Sequence, residues 1–259
     1  MNREPRPETR DPKLIVALDV DNLKKAEHLV DILYPTVETF KVGSQLFTAE
    51  GPKTVRMIHE KGAQVFLDLK FHDIPSTVFQ AVSAGTASAV MMTPTATGSV
   101  NKDINGATQL AVFMMTVHTE GGSEMLKAAV RGATEKAKEL NIKRPFIVGV
   151  TRLTSDKNEE VTEENVLKAA RLAKDVGLDG VVCSAHEAPR VRKECGNDFL
   201  IVTPGIRPKG YPADDQSRVA TAQEAIEAGA DFVVVGRPVI KAKDPLGVAE
   251  SIVEEISHI

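Results

Sequence analysis

Short apolar runs recur along this chain at regular intervals, and each is apolar at most of its positions. They are Leu14-Ile15-Val16-Ala17-Leu18-Asp19, Phe40-Lys41-Val42-Gly43, Val65-Phe66-Leu67-Asp68-Leu69-Lys70, Ala111 to His118, Phe146 to Val150, Gly180 to Cys183, Phe199 to Thr203 and Asp231 to Val235. Runs this short are strands, and strands without a polar face are buried on both sides, as in a parallel sheet. The stretches between them have helical spacing and start signals. Helices are predicted from an Asn22 cap to about Leu33, over Pro52–Lys61 and Ser76–Ala89, and from a Ser123 cap to about Leu140. Further helices are predicted over 163–176, 187–195, 221–228 and 245–256. Eight strands alternating with eight helices in about 250 residues predict an α/β chain folded as a (β/α)8 TIM barrel. An open, doubly wound sheet is the rival, but no Gly-x-Gly-x-x-Gly follows the first strand.

The third strand carries the densest charge. Side chains alternate along a strand, so Phe66, Asp68 and Lys70 share one face, and Leu67 and Leu69 the other. Asp73 follows three residues after Lys70, and Pro75 can open a helix. Burying two acids and a lysine is costly unless they pair. An ordinary ion pair at a barrel mouth is the plain alternative.

The site of such a barrel lies at the carboxyl ends of its strands. The residues expected there are Asp19, Lys41, Asp68, Lys70, Asp73, His118, Thr154, Arg207 and Arg237. The loops after strands seven and eight are the usual phosphate site of this fold, and they hold Gly205-Ile206-Arg207 and Gly236-Arg237. Glycine lets backbone N–H groups approach an anion, and an arginine fork fits phosphate. A phosphorylated substrate is expected. The polar block Pro208 to Ser217 can act as a lid over it. His118 is assigned a positional role and His72 a packing or supporting one.

Composition narrows the partners. With 259 residues, 42% hydrophobic and 26% charged, the chain can bury a full core. A net charge of −4 gives no reason to expect nucleic acid or an acidic membrane. No apolar run reaches the roughly 20 residues of a membrane span. Residues 1–10 are charged and Pro-rich and read as a frayed tail before a single domain over 11–259. Cys183 and Cys195 match neither a metal pattern nor a disulfide framework, so a reducing cytoplasm is the default.

Asp68-x-Lys70-x-x-Asp73 with Phe71-His72-Asp73-Ile74-Pro75, the Leu18-Asp19 strand end, Phe40-Lys41-Val42-Gly43, Pro204-Gly205-Ile206-Arg207 and Val235-Gly236-Arg237 together resemble the orotidine 5′-monophosphate decarboxylases. The resemblance runs from about Leu14 to the C-terminus, except around residues 86–110. It implies decarboxylation of orotidine 5′-monophosphate to UMP, in a homodimer, without metal or organic cofactor. Lys41, Asp68, Lys70 and Asp73 would form an alternating charge array, with Lys70 protonating the C6 carbanion. Asp73 and Thr77 would reach into the partner subunit's site. Asp19 and Thr77 would hold the ribose side, Thr154 the pyrimidine, and Gln216, Arg207 and Arg237, with Gly236, the phosphate. A metal-dependent sugar-phosphate decarboxylase or aldolase of the same superfamily remains an alternative, as does a non-catalytic nucleotide-binding barrel.

The departure from the family is an insertion around residues 86–110. Two similar segments, Gly85–Thr93 and Gly106–Thr116, compete for strand four. The second runs on into Gly121-Gly122 and a helix, whereas the first meets Pro94. Strand four is therefore expected at Ala111–His118. The insertion then falls in an αβ connection below the barrel, away from the site.

Overall fold

The computed structural model describes residues 13–88, 112–152, 163–208, 211 and 219–257. The expected tail, most of the 86–110 insertion and nearly all of the expected lid lie outside the described residues. The strands are β1 (Lys13–Ala17), β2 (Thr39–Gly43), β3 (Gln64–Phe71), β4 (Val112–His118), β5 (Phe146–Val150), β6 (Gly180–Val182), β7 (Leu200–Thr203) and β8 (Phe232–Val235). They pair in parallel in chain order, and β8 returns to β1, closing the barrel. The helices among the described residues are α1 (Leu23–Leu33), α2 (Ser44–Glu50), α3 (Lys53–Glu60), α4 (Pro75–Ala87), α5 (Gly122–Leu140), α6 (Glu163–Asp175), α7 (Ala188–Cys195), α8 (Ala222–Glu227), α9 (Arg237–Ile240) and α10 (Pro245–Ser257).

Alternation along the strands divides the core into two layers. Ile15, Ala17, Phe66, Met114, Val148, Val202 and Val234 fill the barrel interior. Leu14, Val16, Phe40, Leu67, Met115, Ile147 and Val233 face outward against the helices. At the base of β4, both Phe113 and Met114 join the interior layer. The β3–β4 register shifts between Val65 and Phe66, and such a bulge turns two consecutive residues to one face.

Local signals set most helix ends. The Asn22 side chain accepts from the Lys25 N–H and caps α1 as expected. Thr221 and Glu224 close a reciprocal capping box at α8. Three expectations are corrected. Ser123 is not a cap: a 3-10 turn over Thr119–Gly121 leads directly into α5, and Ser123 is its second residue. Two helices, not one, follow β2, because Gly51 at φ 63° breaks the chain between α2 and α3. The stretch after β8 read as a loop forms the short α9. Strand four begins at Val112, in the second of the two competing segments, as expected.

Candidate active site

The carboxyl ends of the strands surround an open cavity of about 210 Å³. Its floor is apolar: Ala17, Phe66, Val150, Val182, Val202 and Val234, one inward residue from each of six strands. Its walls carry Asp19, Lys41, Asp68, Lys70, Arg152, Arg207, Gly236 and Arg237.

Asp68 is the hub of the charged wall. It is only 8% exposed, and its Oδ1 accepts from Thr116 Oγ1 at 3.0 Å. Its Oδ2 accepts from Lys70 Nζ at 2.8 Å and lies 3.3 Å from Lys41 Nζ. Lys41 Nζ also donates to Asp19 Oδ1 at 3.4 Å. Acid and base therefore alternate across three strands: Asp19, Lys41, Asp68, Lys70. Burial alone would push the Asp68 carboxyl up. The ammonium of Lys41 and then that of Lys70, with hydrogen bonds from Lys70 and Thr116, outweigh burial and hold it below the usual carboxylate range. Burial alone would lower Lys41, but the Asp68 and Asp19 carboxylates reverse this and raise it.

The backbone at Lys70 departs from a plain strand. Lys70 lies at φ 50°, a left-handed conformation unusual for a side chain of this kind, and the β3–β4 register shifts between Leu67 and Phe71. The Lys70 N–H leaves the ladder and donates to Thr116 Oγ1 at 2.8 Å. One buried hydroxyl thus holds both the Lys70 backbone and the Asp68 carboxylate. Sequence reasoning did not single out Thr116. Its signal is a lone hydroxyl inside the apolar run Met114-Met115-Thr116-Val117.

Two glycines make room for this array. A Cβ on Gly43 would sit 3.1 Å from Lys41 Nζ, and one on Gly236 would sit 3.3 Å from Asp19 Oδ2. At the other wall, Gly205 takes φ 82° and turns the chain after β7. The Arg207 N–H donates to the Ala220 carbonyl at 2.9 Å, and its Nη1 donates to the Ile206 carbonyl at 2.9 Å, which fixes the loop. Arg237 opens α9 directly after Gly236. The two arginines therefore flank the β7–β8 side of the cavity, as expected.

Asp73 and Thr77 do not line their own cavity; both are exposed. Asp73 Oδ1 accepts from the Ile74 N–H at 2.6 Å. They belong to an exposed run over 72–77 in which Ile74 is 63% exposed. His72 and His118 stack with ring centroids 5.4 Å apart. His118 Nδ1 accepts from the Glu120 N–H at 3.4 Å. Burial chiefly keeps the His118 pKa below its usual value; Glu120 opposes this, and His72, Arg152 and Lys70 add to it. Thr154 and Gln216 lie outside the described residues. Among those residues, no group of three or more His, Cys, Asp or Glu is placed to hold a metal ion.

Residues 12–252 match the model of the Orotidine 5′-phosphate decarboxylase / HUMPS family. The chain is 44% identical over 256 residues to the orotidine 5′-phosphate decarboxylase of Moorella thermoacetica, across 95% of this chain and 93% of the relative. It is 42% identical over 255 residues to the enzyme of that name from Vibrio cholerae, across 95% and 97%. The crystal structure of orotidine 5′-phosphate decarboxylase from Lactobacillus acidophilus superposes with a TM-score of 0.76 at 34% identity, covering 95% of this chain and 99% of that one.

Proposed function

The chain belongs to the orotidine 5′-phosphate decarboxylase family, and from that premise we propose how its cavity removes CO2 from C6 of orotidine 5′-monophosphate to give UMP. The reaction is a step of pyrimidine biosynthesis. The observation that carries the reading is the alternating array Asp19–Lys41–Asp68–Lys70 facing a cavity whose opposite wall holds Arg207 and Arg237.

Arg207 and Arg237 hold the phosphate through charge-assisted hydrogen bonds. The loop containing Gln216 completes that end. Asp19 and Lys41 meet the ribose, and Thr154 meets the pyrimidine. The ring then lies over the apolar floor with C6 toward Lys70. The C6–carboxylate bond breaks, its electron pair stays on C6, and CO2 leaves. No electron sink adjoins C6, so the carbanion needs a charge placed beforehand. The Lys70 ammonium, held 2.8 Å from Asp68, supplies that charge and then gives its proton to C6. Water reprotonates the amine. Asp68 sits where the departing carboxylate must lie, which disfavours the bound substrate relative to the carbanion. The phosphate, remote from C6, contributes binding energy that draws the site closed.

The exposed run over 72–77 supports a homodimer in which Asp73 and Thr77 complete the partner subunit's site. Among the described residues no helix is long and apolar enough to cross a membrane. Cys183 and Cys195 are free and buried, which supports the cytoplasm as the compartment.

The test is loss of orotate absorbance from orotidine 5′-monophosphate in the presence of EDTA. Turnover at full rate is expected. Turnover that disappears in EDTA and returns with a divalent cation would favour the metal-dependent branch of the superfamily. Tight UMP binding with no turnover would make the barrel a nucleotide binder only.

A further inference from the structure

Arg152 directly follows Thr151 at the end of β5 and lines the cavity beside Val150 and Val182, yet the reaction as described gives it no task. Its side chain is about one-third exposed, and Nη1 lies 3.4 Å from Glu120 Oε1. The other Glu120 oxygen lies 3.9 Å from His118 Nδ1, the same nitrogen that accepts from the Glu120 N–H. Glu120 thus links the turn after β4 to the end of β5 and holds the guanidinium at the cavity wall.

The strand order says what that guanidinium faces. Phosphate-binding arginines follow β7 and β8, and Lys70 ends β3. A nucleotide spanning those two points lays its ring over Val150 and Val182, with the ring edge away from the ribose turned toward the β5 wall. We propose that Arg152 is a specificity-determining residue that donates to the carbonyl oxygen at C4 of the pyrimidine, and that Glu120 is its positioning residue. This rests on the nucleotide-decarboxylase reading of the cavity.

A guanidinium has donors and no acceptor. It pairs with the C4 oxygen of a uracil or orotate ring. Against the C4 amino group of a cytosine ring, donor meets donor and the pairing is lost. The array at β3 recognises C6 and its carboxylate. Arg152 therefore supplies a second check, on the far edge of the ring.

The test is calorimetric titration of wild type, Arg152→Met, Arg152→Lys and Glu120→Gln with UMP, CMP and ribose 5-phosphate. Wild type should prefer UMP over CMP. Arg152→Met should narrow that preference by roughly tenfold or more, the worth of a charged hydrogen bond. Its affinity for ribose 5-phosphate should not change, which also reports that the variant is folded. Arg152→Lys should keep part of the preference, and Glu120→Gln should narrow it by less than Arg152→Met. An unchanged UMP-over-CMP ratio in Arg152→Met overturns the proposal, as does an equal loss for all three ligands. An unchanged ratio in Glu120→Gln removes the positioning role. Turnover of orotidine 5′-monophosphate by wild type is measured separately: if it is absent, the proposed reaction fails while the binding comparison still decides the role of Arg152.

Discussion

At the amino ends of the strands, Arg192 donates to the carbonyls of Gly196, Phe199 and Gly229, and its Nη2 donates to Asp231 Oδ2 at 2.7 Å. Asp231 also accepts from the Ile201 N–H at 2.7 Å. Two strands back the device recurs: Arg144 meets Asp179 through two nitrogens, and Asp179 accepts from the Ile147 N–H at 2.8 Å. At the carboxyl ends, Asp68 binds Lys70 and Lys41. Burial does not tell the two ends apart, since the side chains of Arg192 and Asp231 are 16% and 8% exposed and those of Lys41 and Asp68 are 14% and 10% exposed. What differs is the partner of each group. Below, the charges are tied to backbone N–H and C=O groups of neighbouring loops, so they lock the barrel shut. Above, they are tied chiefly to one another and face an open cavity, so they are poised for a ligand. A buried ion pair signals function when its surroundings leave a face for substrate, not merely when it is buried.

The sharpest way to break this comparison is to remove one cation from each end. Lys70→Ala should lower turnover on the order of ten-thousandfold or more, because it deletes both the proton donor and the charge beside the carbanion. Its melting temperature and UMP affinity should stay near wild type. Arg192→Ala should do the reverse. Removing one partner of a buried pair costs about 3–5 kcal/mol, which for a chain of this size lowers the melting temperature by roughly 10 °C. Its turnover per folded molecule should be unchanged. Comparable loss of stability in Lys70→Ala, or of turnover in Arg192→Ala, would erase the distinction between the two ends.

Arg237→Ala sharpens the comparison within the upper end. Losing a charge-assisted fork to phosphate should weaken UMP by about 2–3 kcal/mol and leave uridine unaffected. Equal losses for both ligands would mean that Arg237 does not touch phosphate. Thr116→Val tests a smaller effect. It strips the hydroxyl that holds the Lys70 backbone and Asp68, and should cost about 1–2 kcal/mol in kcat with little change in phosphate binding. Steady-state kinetics with kcat and KM resolved would check it; a change in KM alone would contradict the assignment.

The barrel was legible because its strands are apolar on both faces, a pattern that survives without any tertiary information. The fourth strand was decided the same way, since only the copy ending at His118 runs on into a helix. Asp68 and Lys70 were legible because charges inside such a run demand a reason. Thr116 was not, because a single hydroxyl in Met114-Met115-Thr116-Val117 looks like any β-branched strand residue. The left-handed backbone of Lys70 was hidden for a related reason: it arises from a register shift against β4, which is a tertiary fact. Arg152 was missed because its meaning lies in Glu120 and the floor beneath it, 32 residues apart at the nearest. Short helices such as α9 lack the periodic signal that a longer one provides.

The smallest effect concerns the histidine at the rim, and its sign follows from its surroundings. His118 is held below the usual histidine pKa of 6.5, chiefly by burial, with His72, Arg152 and Lys70 adding like charge and Glu120 opposing them. The unfolded chain therefore binds a proton at this position more readily than the folded one. Stability from the neutral ring is fully present above the unfolded value and is lost as pH falls through the folded one. His118→Asn keeps an acceptor near the Glu120 N–H but cannot titrate. Between pH 7.5 and 5.5, roughly one unit either side of that value, the melting temperature of wild type should fall further than that of His118→Asn. The lower end of the barrel has no such group in its Arg144–Asp179 and Arg192–Asp231 pairs, so Arg192→Ala should retain the wild-type slope over this window. Parallel slopes for wild type and His118→Asn would show that the stacked ring pair does not carry the pH response, and would return His118 to a packing role alone.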